Sequence, residues 1–552
     1  MYIRSRSPGY GRKGMVATSQ TLATQTGLAV LQRGGSAVDA AIAANAVLSL
    51  TEPHMCGPGG DLFAIVWDPA QQSLHGLNAS GRAPRELSYA TLRDAVGAAG
   101  VIPGRGPLAV TSPGAVDGWC TLHERFGRLD LDDVFAPVIN YARNGVPIGS
   151  RTADMWAAAA AGILGDPQLD GFTASFADTF VREGRAPVAG ETHVNPDLAD
   201  TYALIAQRGR DGFYNGQFAE RLSACVRAAG GFLGIDDLAA TRCDWVEPIT
   251  TNYRGYDVFE LPPNGQGMTV LQILNILETY STDELYRDPS NYWHAFIEAK
   301  KLAFEDRARY YADPAAAEVP VATLAGKAYA AERRRLIDDA SAGANYTHGD
   351  VAIRSGDTTY LCAADSSGMM VSLIQSIFSP FGAGLVPPGS GFALQCRGAG
   401  FTLAPDHPNV YAPGKRPFHT IIPGFVMRDE RPWLSFGVMG ADMQPQGQVQ
   451  VLANMIDRGM DPQAAGDAPR LRHVGGAQPN GERLDGLGVV QYEAGIAPAT
   501  IDALARRGHR LEVIEDWITG FTGGYQAIRY DAEQQVYVGG SEPRLDGCVL
   551  GY

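Results

Sequence analysis

The junction Gly356-Asp357-Thr358-Thr359 is where side-chain type and setting in this sequence could do covalent chemistry. A threonine hydroxyl attacks poorly unless a base sits beside it. One solution uses the residue's own α-amine once the chain in front has been cut away. Such a threonine needs a mobile linker ahead of it, a strand to hold it, and donors facing the oxyanion. The stretch 340–357 (ASAGANYTHGDVAIRSGD) is polar, rich in Gly, Ser and Asp and without periodicity, so it reads as that linker. Thr358 to Ala364, the turn Asp365-Ser366-Ser367-Gly368 and Met369 to Ile377 read as a β-hairpin. Taken alone, the four junction residues also open many ordinary strands.

Other chemistries lack their residues. There is no P-loop, G-x-S-x-G elbow, H-E-x-x-H pair or dinucleotide fingerprint. The glycine cluster Gly57-Pro58-Gly59-Gly60 precedes a strand rather than a helix, so it offers no helix N-terminus to a phosphate. The 10 histidines show no ligand spacing, and the seven cysteines form no C-x-x-C pair. The expectation is no metal, no cofactor, and reduced thiols in the cytoplasm.

The elements that must position the junction alternate along the chain. Gly14 to Ser19 reads as a strand and Leu22 to Gln32 as a helix stopped at Gly34-Gly35. Ser36 to Leu50 is alanine-rich with apolar positions on more than one face, the pattern of a helix packed between layers. Pro53 and the glycine cluster break it, and Leu62 to Trp67 reads as a buried strand. From about 112 to 345 the pattern is mainly helical, with helices predicted over Leu131 to Asn144 and Ser290 to Ala312. Interleaved acids and bases on the second helix read as a solvated face, so Glu298 and Asp306 are not assigned to catalysis. Strands follow near 421–427, 433–438 and 525–530, and helices near 447–458 and 497–507. No repeat of fixed period is present, which excludes solenoids and propellers.

Composition bounds the rest. Of 552 residues, 45% are apolar and 19% charged, enough for a large folded core. The 66 Gly and 34 Pro exceed the usual share without reaching that of low-complexity chains, and point to many tight turns. A net charge of −15 disfavours nucleic acid and anionic membranes as partners, since both need clustered Lys and Arg. No apolar run approaches the roughly 20 residues that span a bilayer, and no apolar region follows the basic N-terminus, so no secretory signal is expected.

Motifs in a fixed order add a resemblance. They are GMVAT at 14–18, GGSAVDAAIAA at 34–44, EPHMCGPGGDLF at 52–63, SPGAVDGW at 112–119, FYNG at 213–216 and PPNGQG at 262–267. After them come EAKKLAFEDRARYYADP at 298–314, GDTTYLCAADSSG at 356–368, FGAGLVPPGSG at 381–391, PGKRPFHTIIP at 413–423 and SEPRLDGCVLGY at 541–552. Over nearly its whole length the chain resembles the γ-glutamyltranspeptidase family of N-terminal-nucleophile hydrolases. The resemblance implies an α+β fold, a four-layer αββα sandwich, and self-cleavage between Asp357 and Thr358. The products would be fragments 1–357 and 358–552, intertwined in one domain as a heterodimer, alone or in a higher oligomer. It also implies Thr358 as nucleophile, Gly440 and Ala441 as oxyanion donors, Ser376 as a hydroxyl beside the nucleophile, and Thr359 as a hydrogen-bond partner of the new amine.

The sequence departs from the family where γ-glutamyl substrates are held. Phe378 falls at an asparagine position, Gly400 at that of the ammonium-binding aspartate, and His419-Thr420 at that of paired serines. An upstream arginine, Arg82, is shifted in register, and the lid segment 401–413 is shorter. Losing a carboxylate partner penalises a substrate ammonium, while Arg397, with Arg82, favours a substrate carboxylate. The expected substrate therefore has an amide and a carboxylate but no obligatory ammonium, and resemblance to family members acting on such compounds implies a small acidic amide of the oxamate or glutaryl type. The alternatives are a γ-glutamyl hydrolase or transpeptidase acting on glutathione-like compounds, and an inactive binding relative. Arg397 is equally open to a salt bridge holding its loop. His419 reads as a polar pocket wall ahead of a general base, since the α-amine already fills that role.

Overall fold

The structure, a computed structural model, describes residues 5–344, 346–347, 357–515 and 522–552. Two seven-stranded sheets form its middle. One runs in the order Cys548–Gly551, Met15–Thr18, Asp357–Ala364, Met370–Phe378, Asp61–Asp68, Ser73–Ala79 and Asp244–Val246. The other runs Gly9–Gly11, Val536–Ser541, Gly524–Asp531, Arg431–Met439, Gly424–Arg428, Tyr256–Glu260 and Ile249–Tyr253. The hairpin expected after the junction is thus central in its sheet, paired on both sides.

Alternation along these strands explains the layering, because successive side chains point to opposite faces. Met15, Ala17, Phe63, Ile65, Tyr360, Cys362 and Ile374 face the second sheet and pack with its Phe425, Met439 and Ile528. Val16, Leu62, Ala64, Leu361, Ala363, Val371 and Leu373 face outward into a helical layer that includes Ala37–Thr51 and Leu131–Asn144. The far face of the second sheet is covered by Met268–Glu278, Pro289–Tyr310 and Met443–Ile456. The result is helix, sheet, sheet, helix, the four-layer sandwich expected. The alanine-rich helix is buried at every position, and Ser36 and Asp39 close its N-terminus as a capping box.

Three expectations change. The helix Pro289–Tyr310 has no broad solvated face: Glu298, Lys300, Lys301, Glu305, Asp306 and Arg307 are all buried. Its charges meet partners inside the fold, such as Lys301 Nζ on Glu298 Oε1 at 2.7 Å. The supposed linker begins tied down, with Gly343 N and Tyr346 Oη donating to Glu298 Oε2 at 3.0 and 2.5 Å, while 348–356 lie outside the described residues. Finally, the helical middle hides Asp244–Val246, Ile249–Tyr253 and Tyr256–Glu260, through which the chain passes from the edge of one sheet to the edge of the other.

Candidate active site

Thr358 lies near the start of its strand, 1% exposed. Three residues on Met370–Phe378 match two on Asp357–Ala364, so Ser376 and Ile377 both oppose Thr358 across a bulge. Such a bulge re-aims side chains. On its other side Ser376 pairs with Asp61. Thr358, Ser376 and Asp61 therefore stand abreast on three neighbouring strands. Gly60 permits this approach, since a Cβ there would come within 2.5 Å of the Ser376 carbonyl oxygen.

The second sheet supplies the facing groups. Gln444, in the first turn of Met443–Ile456, donates from Nε2 to Thr358 Oγ at 3.3 Å. Its own Oε1 accepts from Ile422 N at 3.0 Å, which fixes the amide's orientation. Just before that helix, Gly440 (φ 118°) and Ala441 (φ 49°) make a turn. Left-handed backbone at a residue with a side chain is strained and persists where surrounding contacts impose it. Gly440 O accepts from Met443 N at 2.9 Å, and Ala441 O from Gln444 N at 3.1 Å and Gln266 Nε2 at 2.9 Å. With the carbonyls bonded inward, the two N–H groups meet no backbone acceptor among the described residues, the arrangement an oxyanion needs.

Arg397 is fully buried beside this group. Nη2 donates to Ser376 Oγ at 3.0 Å and Nη1 to Thr420 Oγ1 at 2.9 Å, while the Phe378 ring lies 4.3 Å from the guanidinium carbon. Among the described residues no carboxylate lies within ion-pair distance of it, so the salt-bridge reading is set aside. Burial pulls its pKa down to about 10, against the opposing pull of Asp61. Phe378 (φ 79°), whose ring contacts that guanidinium, also walls a cavity of about 820 Å³ with Ser379, Pro380, Ala399, Arg105 and Glu482.

Two sequence-derived residues point elsewhere. Arg82 joins Asp313 at 3.5 Å, Asp244 at 3.7 Å and the Gly414 carbonyl at 3.3 Å, in a crevice with Thr241 and Arg242. The register shift thus binds it to a structural ion-pair group and not to the Thr358 cluster. Thr359, one step along the strand, faces the helical layer and donates to Glu52 Oε2 at 2.5 Å. Ser19 Oγ and Gln20 Nε2 donate to the same carboxylate, and burial raises its pKa. The Thr359 hydroxyl proton is therefore engaged with Glu52.

His419 is buried with its Nε2 3.1 Å from Asp61 Oδ2. A carboxylate only accepts, so Nε2 carries the proton, and Nδ1 accepts from Ile421 N at 3.3 Å. Burial, reinforced by the Arg397 charge, depresses its pKa to about 3, so it is a neutral wall. Asp61 also accepts from Gly81 N, Gly114 N and Gln395 Nε2, which makes it the hub of the site's floor. His294, Glu298 and His509 lie close enough to share an ion. Their atoms are already used: His294 Nε2 on the Asp338 carbonyl, its Nδ1 on His509, and Glu298 on Lys301, Gly343 and Tyr346.

Sequence reasoning assigned no role to Gln444, Asp61, Gln266 or Glu52. Three of them sit inside quoted motifs, Glu52 and Asp61 in 52–63 and Gln266 in 262–267, but a motif shows no partner.

The family model described as Gamma-glutamyltranspeptidase matches residues 23–552. A glutathione hydrolase-like proenzyme of Bacillus subtilis is 37% identical over 98% of this chain and 99% of its own length. The oxamate amidohydrolase proenzyme of Klebsiella pneumoniae is 33% identical over 98% of each. Among solved structures, the cephalosporin acylase from Bacillus halodurans superposes with a TM-score of 0.91 at 42% identity, covering 100% of this chain and 98% of its own. With the sandwich and the Thr358 cluster already in place, these matches show that the chain belongs to the gamma-glutamyltranspeptidase family, a family of enzymes.

Proposed function

We propose that this protein is a self-processing N-terminal-threonine amide hydrolase that cleaves a small acidic amide of the oxamate or glutaryl type. In processing, Thr358 Oγ adds to the Asp357 carbonyl carbon, the Thr358 nitrogen leaves with the hydroxyl proton, and water hydrolyses the ester. Fragments 1–357 and 358–552 result and stay together. In turnover the new α-amine, with a pKa near 8 in peptides, takes the Oγ proton as Oγ attacks the substrate amide. The leaving amine or ammonia departs with that proton, and water releases the acid from the acyl-enzyme. Each backbone donor at Gly440 and Ala441 would contribute about 3 kcal/mol to the transition state. The unpaired thiols suit the reducing cytoplasm, the compartment we propose.

The observation that carries the substrate class is Arg397, a buried guanidinium whose described polar partners are two hydroxyls, one of them opposite Thr358. A substrate carboxylate supplies the charge such a cation lacks. Relatives named amidohydrolase and acylase support the same reading. The glutathione hydrolase-like relative favours a second reading, γ-glutamyl transfer or hydrolysis. Gly400 weighs against it: a Cβ there would meet the Phe418 carbonyl oxygen at 2.6 Å, so an ammonium-binding side chain has no room.

Two experiments test this. Thr358→Ala should give one uncut chain by mass spectrometry, and efficient cleavage in that variant would refute the nucleophile. The processed protein should turn over oxamate or a glutaryl anilide in preference to a γ-glutamyl anilide, and Arg397→Ala should raise KM for the preferred substrate roughly tenfold or more. Turnover of the γ-glutamyl anilide alone would establish the second reading.

A further inference from the structure

We propose that Gln266 is a positioning residue that ties the oxyanion turn to the seat of the substrate carboxylate. The inference rests on the reading of Thr358 as nucleophile. The Gln266 amide nitrogen donates to two carbonyl oxygens, Thr420 O at 2.7 Å and Ala441 O at 2.9 Å. Thr420 carries the hydroxyl that receives Arg397, and Ala441 supplies one of the two oxyanion donors. Both hydrogens of one NH2 group are thus spent bridging the two halves of the site.

The bridge is itself held. Arg307 Nη1 donates to Gln266 Oε1 at 2.5 Å and to Asp442 Oδ1 at 2.7 Å. Its Nη2 donates to Gln478 Oε1 at 2.5 Å, and Gln478 in turn donates to Asp442. The peptide after Ala441 is gripped at its carbonyl by Gln266, and the peptide before it by Met443 N on Gly440 O. These contacts impose the positive φ of Ala441 and so aim the N–H groups of the turn. A carboxylate that shifts Arg397 and Thr420 would pull on the same amide, so binding of the acid and alignment of the turn are linked.

The test compares Gln266→Asn, one methylene too short to span both carbonyls, and Gln266→Leu, which has no donor. Glutaryl p-nitroanilide and butyryl p-nitroanilide, the second without a carboxylate, serve as probes, with rates counted per processed Thr358 amine. For the glutaryl anilide we expect kcat to fall roughly 10- to 100-fold, as for other small misalignments at a reacting centre. The preference for glutaryl over butyryl should shrink as well, which a loss of folded protein alone would not cause. An unchanged kcat per processed site, or a fall with the preference intact, overturns the proposal. If either variant remains unprocessed, hydrogen exchange of the peptide spanning 437–443 decides: faster exchange than in Thr358→Ala supports the proposal, and equal exchange overturns it. Thr358→Ala serves as a separate control, since cleavage or turnover in that variant would refute the nucleophile reading and not the bridge.

Discussion

At the scale of single residues, burial sets the chemistry of the site more than charge does. His419 is the case with a measurable consequence. Its folded pKa of about 3 lies below the ordinary value of 6.5. As pH falls through 6.5 the unfolded chain therefore binds a proton that the folded chain refuses, and stability drops toward acid. The slope is at most about 1.4 kcal/mol per pH unit for one such group. In His419→Gln the side-chain amide can still donate to Asp61 and does not titrate. Urea unfolding from pH 6 to pH 4 should lose about one proton's worth of slope in that variant, and an unaltered slope would mean that His419 titrates normally.

At the scale of elements, the helix Pro289–Tyr310 shows how a charged sequence can be interior. Its polar contacts hold neighbouring segments: Glu298 accepts from Lys301, Gly343 and Tyr346, and Arg307 donates to Gln266 and Asp442, which support the turn. Removing one partner of a buried pair leaves an uncompensated charge. Lys301→Met should therefore cost about 3 kcal/mol in urea unfolding. A cost below about 1 kcal/mol would be that of an exposed pair. The hairpin behaves differently, since its alternation buries both faces and its bulge lies opposite Thr358.

At the scale of the whole molecule, the proposed cut falls inside a sheet to which both fragments contribute. Strand Met15–Thr18 of the first fragment lies between Cys548–Gly551 of the second and the strand Asp357–Ala364, which belongs to the second from Thr358 onward, and Asp61–Asp68 of the first pairs with Met370–Phe378 of the second. Separating the fragments would break these ladders and expose the cores on both sheet faces. The processed protein should elute from gel filtration as one species and resolve into two bands only under denaturing conditions. Elution of the fragments as separate folded species would contradict this topology.

The residues alone determined the hairpin and the helix buried on all faces, because period-2 and all-round apolar patterns are local properties that any packing must respect; Thr358 as candidate nucleophile came from the resemblance. Ordered motifs then carried the sandwich and the family. The strands Leu471–Ala477 and Arg483–Glu493 were not legible, since Gly475, Gly476, Gly486 and Gly488 interrupt their alternation. Tertiary structure alone decided that Arg82 turns to Asp313 and Asp244 while Arg397 turns to Ser376, for a guanidinium's role depends on which distant acceptors the fold brings near it. Gln266, Gln444 and Asp61 were invisible for the same reason: hydrogen bonds spanning 175, 86 and 358 residues of chain leave no local pattern.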